Sequence, residues 1–261
     1  DVNEDTLAGT AAMLKNYNVA VSSHRLDVGD EAAMDALPEK VIAQHGKVDL
    51  VFNNAGITID SDFANMPEPD WDKVMAVNLH GVFTMTRAFL PYLKERPESA
   101  VVNTSSIFGM IAVPRQSVYH ATKFAVRGFT ESLAKEMKGT SVQVHCVHPG
   151  HIGTNILSAA TVNPSEEKEE KKGMFARPDA TQEEQGEAFR QNGMHASKAA
   201  EVILNGVRKR RSRIFVGLDA KLIDLAQRLT PIHYDKLLPF IFLPLALFRN
   251  KKGLKDLPVE P

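Results

Sequence analysis

A single cysteine among 261 residues, Cys146 in the apolar run VQVHCVHPG, leaves no partner for an internal disulfide and no cysteine pair for a metal. An excess of charge of either sign is also missing. Lys and Arg number 31 against 32 Asp and Glu, a formal net charge of −1, so no global field recruits nucleic acid or an anionic membrane. The opening residues DVNEDTLAGT are acidic and polar and do not read as a secretory signal; with the lone thiol, they make a reducing cytoplasm the expected compartment. The apolar stretch LLPFIFLPLALF, residues 237–248, is too short to span a bilayer and carries two prolines. Internal repeats are absent. The one low-complexity stretch, NPSEEKEEKKG at 163–173, has mixed charges and no apolar residue, and reads as a mobile loop or lid.

What is present is a hydrophobic fraction of 43%, enough to bury one large core, in a pattern that alternates helix and strand. Residues 6–16 suit a helix capped by Asn3 or Asp5, and VAVSSHRLDV, 19–28, alternates like a strand. A second helix starts near Asp30, with Pro38 expected to kink it. KVDLVFNN, 47–54, is the short, nearly continuous apolar run of a strand buried on both faces. A helix over 68–94 then precedes the strand SAVVNTSS, a helix holding Tyr119 precedes SVQVHCVHPG, and a late helix precedes RIFVG. Short buried strands separated by helices predict an α/β fold with a doubly wound parallel sheet, in which ligands sit beyond the carboxyl ends of the strands. Those ends carry Asp27, then Asn53 to Gly56, then Ser105 and Ser106, then Pro149 and Gly150.

Within SVYHATKFAVRGF, residues 117–129, Tyr119 and Lys123 lie one helical turn apart on one face. A free phenol titrates near about 10, and a fixed cation beside it favours the phenolate, so the pair can hand a proton either way. Such a pair in isolation is commonly a packed ring and a snorkelling lysine. Two further residues change that reading. Ser106 ends a predicted buried strand and can hydrogen-bond the substrate oxygen that the phenol touches, and Asn78, in the apolar VMAVNLHGVF, needs a buried partner, one candidate being a water leading to Lys123. The histidines His145, His148 and His151 span a strand end and a Gly/Pro turn without Cys or carboxylate, and no metal is expected there.

These residues together resemble the classical short-chain dehydrogenase/reductase family: NNAG at 53–56, Asn78, SSIFG at 105–109, YHATK at 119–123 and HPGHIGT at 148–154. The resemblance runs from Asp1 to about Thr154 and more loosely to Gly217. It implies a Rossmann-type fold and a nicotinamide-dependent oxidoreductase in which Ser106 orients the substrate oxygen, Tyr119 is the general acid/base, Lys123 binds the nicotinamide ribose and lowers the tyrosine pKa, and Asn78 holds a water in the proton relay. It further implies that Asp27 and Val28 flank the adenine, that Asn54, Ala55 and Gly56 line the ribose side, and that Ile152 and Thr154 meet the carboxamide. Val77, Pro149 and Gly150 count among the same cofactor contacts.

By the same resemblance Asp1 is the acidic residue ending the second strand, where a carboxylate accepts the ribose 2′-hydroxyl of NAD and repels the 2′-phosphate of NADP, so NAD is the expected cofactor. The strand, glycine-rich turn and helix that open such a domain are not among the 261 residues, and the chain is expected to be N-terminally incomplete. One domain is expected, with a cofactor-binding and catalytic core at 1–154, a substrate loop or lid at 155–200 and an apolar extension at 237–261. The substrate class is an apolar secondary alcohol or ketone. The alternatives are an NADP-dependent 3-oxoacyl or carbonyl reductase and a non-catalytic dinucleotide sensor or scaffold. RKRRSR at 208–213 reads as a solvated helix end. Residues 237–248 read as a homodimer or homotetramer contact, a substrate cover or a peripheral membrane contact.

Overall fold

The computed structural model describes residues 1–163 and 181–241. Four strands build a parallel sheet in the order β1-β3-β4-β6: β1 Leu50–Asn53, β3 Ser99–Thr104, β4 Val142–Pro149 and β6 Arg213–Val216. Helices cover both faces, because consecutive residues of a buried strand point to opposite sides and both sides here are apolar. On one face Val51, Val101 and Val144 pack with Phe89 and Leu93 of α5 (Gly81–Lys94) and Leu133 of α6 (Ser117–Glu136). On the other, Val102, Val147, Ile214 and Val216 pack with Ala199 of α8 (Ala196–Arg208). The chain therefore has a Rossmann-like fold with a parallel sheet. A small parallel pair, β2 Ile59–Asp60 with β5 Thr161–Val162, stands apart from it.

The first helix, α1 (Glu4–Leu14), takes Asn3 of the two candidate caps, its side chain accepting the Thr6 N–H. Four expectations need correction. The strand expected over 19–28 does not form: Leu26 N–H donates to the Asp1 carbonyl at 3.1 Å, but no named strand includes these residues. Alternating sequence makes a strand only where a ladder partner takes its backbone groups. Next, β1 is the edge of its sheet and is not buried on both faces, since Leu50 and Phe52 are 46% and 43% exposed. Pro38 does not kink one helix but opens a second one: α2 is Glu31–Asp35, α3 is Leu37–His45, and the proline lies in the first turn of α3, where its missing N–H is not needed. The helix expected over 68–94 is interrupted, with α4 (Glu68–Met75) and α5 joined through a π-helical turn at Ala76–His80.

Of the apolar segment 237–248 only residues up to 241 are described, and the low-complexity stretch from 164 to 173 lies outside the described residues. No helix among the described residues is long and apolar enough to cross a membrane.

Candidate active site

The sheet delivers three segments to one place at its carboxyl end. Ser106 follows β3 and begins a short 3-10 turn, Ile107–Gly109, with its Oγ accepting the Phe108 N–H at 3.1 Å. It shares a cavity wall with Tyr119, the third residue of α6, whose ring meets Phe108 edge-on at 6.2 Å. One turn further on, Lys123 is 3% exposed and Nζ donates to the Thr104 carbonyl at 3.0 Å, lying 5.6 Å from the Tyr119 ring centroid. The Ser105 hydroxyl donates to the Lys123 carbonyl at 2.8 Å, so the last residue of β3, Thr104, and the next one, Ser105, together hold this helix.

Asn78 sits in the π-helical turn, fully buried. Its Oδ1 accepts the Ile57 N–H at 2.8 Å, and its Nδ2 donates to the Ile57 carbonyl at 2.9 Å and to Thr122 Oγ1 at 3.3 Å. A Cβ placed on Gly56 would stand 3.4 Å from Lys123 Nζ and 3.5 Å from Asn78 Oδ1, ordinary contact distances that put this backbone beside both groups. A π-turn with an internal polar side chain is a frequent mark of a functional site, and here it carries one.

Burial sets the proton affinities. It pushes the Tyr119 phenol up to about 12, with the Ser106 hydroxyl acting in the opposite direction. It brings the Lys123 ammonium down to about 8. The expectation that Lys123 draws the phenol down is not met in this arrangement. The ammonium bonds the Thr104 carbonyl, and desolvation of the phenolate dominates. The phenol is therefore protonated at neutral pH. Cys146, fully buried, is likewise pushed up to about 12 by burial and stays a thiol.

A cavity of about 780 Å3 opens at these residues. Of the residues expected from the sequence, it gathers Asn54, Gly56, Ser106, Tyr119, Lys123, Pro149, Gly150, Ile152 and Thr154 on its walls, together with the apolar Ile156, Leu157 and Phe189. Val28, Asn54, Ala55 and Val77 border a separate small pocket of about 40 Å3 beside β1, so of the residues expected from the sequence Asn54 alone touches both. Asp1 and Asp27 line neither pocket; the first carboxylate accepts the Asn3 N–H at 2.9 Å and the second the Gly29 N–H at 2.8 Å. Asn78 stands behind the wall.

The three histidines do not converge. His145 Nδ1–H donates to the Arg211 carbonyl at 2.7 Å, His148 Nδ1–H to the Ser106 carbonyl at 3.2 Å, and His151 Nε2–H to the Phe189 carbonyl at 2.8 Å. Among the described residues no group of three His, Cys, Asp or Glu is placed to hold a metal.

Sequence reasoning missed two residues that shape this site. His120 donates from Nδ1 to the Phe108 carbonyl at 2.9 Å and accepts the Val113 N–H on Nε2 at 3.0 Å, pinning the segment after Ser106 onto α6. Its position inside YHATK was the available signal. Asp219, near the start of α9 (Leu218–Leu229), accepts the His151 N–H at 2.6 Å. Nothing local distinguishes it from an ordinary first-turn acid.

The family model for short chain dehydrogenase matches residues 1–167. A protein of Mycobacterium tuberculosis named "Putative oxidoreductase SadH" is 39% identical over 240 residues, 91% of this chain and 82% of that protein. The 3-oxoacyl-acyl-carrier-protein reductase FabG of Thermotoga maritima is 36% identical over 154 residues, 59% of this chain and 63% of its own length. Among solved structures, a short-chain dehydrogenase/reductase of Burkholderia phymatum in complex with NAD superposes with a TM-score of 0.71 at 25% identity, covering 100% of this chain and 86% of that one. A metagenomic short-chain oxidoreductase in complex with NADP gives 0.55 at 28% identity, over 57% of this chain and 68% of the other. The chain belongs to the short-chain dehydrogenase family, a family of oxidoreductases.

Proposed function

We propose that the chain is an NAD-dependent dehydrogenase or ketone reductase acting on an apolar secondary alcohol or carbonyl compound, with Ser106, Tyr119, Lys123 and Asn78 as its proton-handling set. The observation that carries the reading is the meeting of Ser106 and Tyr119 on the wall of one cavity, with buried Lys123 one turn away and its Nζ 5.6 Å from the Tyr119 ring centroid. The cavity volume, about 780 Å3, falls in the upper range for ligand sites. Gly56 lines the cavity beside Lys123, and a backbone without a side chain there suits the close approach of the nicotinamide ribose.

When bound, the nicotinamide cofactor would supply the hydride in carbonyl reduction and take it up in alcohol oxidation. The protein's own residues manage one proton and the alignment of the reacting carbon. Ser106 holds the substrate oxygen. Tyr119, protonated at neutral pH, gives its proton to that oxygen when a carbonyl is reduced and takes it back when the alcohol is oxidised. Lys123 holds a positive charge beside the ring, and Asn78 fixes Ile57 and so the backbone at Gly56. Ile156, Leu157 and Phe189 give the cavity the apolar lining that suits an apolar substrate. The preference for NAD rests on Asp1, and the Burkholderia phymatum relative, solved with NAD, supports it. A homodimer or homotetramer remains part of this reading by family resemblance.

A second reading, an NADP-dependent 3-oxoacyl or carbonyl reductase, draws support from the FabG relatives and from the neighbour solved with NADP. Initial rates of the full-length enzyme with NAD and NADP separate the two, measured against secondary alcohols, ketones and 3-oxoacyl thioesters. NAD-linked oxidation of apolar secondary alcohols is the expected result. Preference for NADPH with 3-oxoacyl thioesters selects the second reading, and no turnover with either cofactor overturns both.

A further inference from the structure

The turn that ends β4 is held from two sides. Toward the sheet, the Gly150 N–H donates to the Val216 carbonyl at 2.9 Å, and the Asp219 carboxylate accepts the His151 N–H at 2.6 Å. From the opposite side, the Met194 N–H donates to the His151 carbonyl and the Gly153 N–H to the Met194 carbonyl, each at 2.9 Å. Asp219 is 8% exposed, and a Cβ on either Gly150 or Gly217 would collide with its carboxylate. Two glycine backbones thus form a slot that only this side chain fills. Gly217 has φ +109°, a conformation that a side chain would strain. Keeping a carboxylate out of water is costly unless N–H donors satisfy it, and the His151 N–H supplies one. Its charge is held against the turn that carries Pro149, Gly150, Ile152 and Thr154 into the cavity.

We propose that Asp219 is a positioning residue for the nicotinamide end of the cofactor, acting through the His151 N–H to fix residues 149–154 in register with Tyr119. The inference rests on the nicotinamide-dependent reading above. It gives a distal residue, 68 positions from His151, control over one half of a ligand and not the other.

Calorimetric titration of the full-length enzyme with NADH and with ADP-ribose, which has the adenosine and both phosphates but no nicotinamide, tests it. Asp219→Ala is expected to weaken NADH about tenfold or more, as for a lost hydrogen bond to a charged group, while ADP-ribose binding stays within about twofold. Asp219→Asn keeps an acceptor of the same size and is expected to recover most of the loss. In the ligand-free proteins, amide exchange at 150–153 is expected to quicken in Asp219→Ala and far less in Asp219→Asn. Equal weakening of both ligands, unchanged NADH binding, or unchanged exchange at these amides overturns the assignment. A wild-type enzyme that binds neither NADH nor NADPH overturns the functional reading itself, and the inference with it.

Discussion

The Asn78 carboxamide takes both backbone groups of Ile57, accepting its N–H at 2.8 Å and donating to its carbonyl at 2.9 Å. The π-helical turn at Ala76–His80 carries this residue, and Ile57 is the neighbour of Gly56, which passes beside Lys123 Nζ. A helix irregularity is thereby coupled to the backbone that a ligand meets.

Replacing Asn78 with alanine removes both partners of a part-buried peptide. With each orphaned group costing about 1–3 kcal/mol, a stability loss of about 2–4 kcal/mol is expected by urea denaturation. A midpoint unchanged from wild type would show that water or another side chain serves Ile57 equally well.

His148 carries a second expectation, in acid. The ring is fully buried, stacks on Phe215 at 5.4 Å and donates to the Ser106 carbonyl, and burial lowers its pKa from 6.5 to about 4. The unfolded chain then binds a proton that the folded chain refuses. The contribution is complete above pH 6.5 and is lost progressively as pH falls toward about 4, where about 3 kcal/mol has gone. In His148→Gln the fall in stability between these pH values is expected to be shallower by up to one proton; an identical slope in the variant would mean that His148 does not titrate as its burial dictates.

Much of this was legible in the sequence, and the reason is local chemistry. The runs that became β3 and β4 are rich in valine and buried along nearly their whole length because both faces are covered, and Tyr119 and Lys123 share a face because a helix repeats every 3.6 residues. Partnership is not legible in the same way. Residues 19–28 alternate as a strand does but meet Asp1 only through the His24 carbonyl and the Leu26 N–H, too little for a strand, and the apolar Leu50 and Phe52 stay exposed on an edge strand. The π-turn was hidden because nothing in VMAVNLHGVF marks an extra residue per turn. Asp219 was hidden because its partners, Gly150 and His151, lie some seventy residues earlier.

The most direct measurement is single-turnover kinetics of Tyr119→Phe in the full-length enzyme. This substitution removes one oxygen and keeps the ring that meets Phe108 edge-on. Loss of the phenol that stands with Ser106 on the cavity wall is expected to slow the chemical step by about two to four orders of magnitude, with cofactor affinity within about twofold of wild type. A chemical step at near wild-type speed in Tyr119→Phe would contradict the assignment of Tyr119 as the residue that moves the proton.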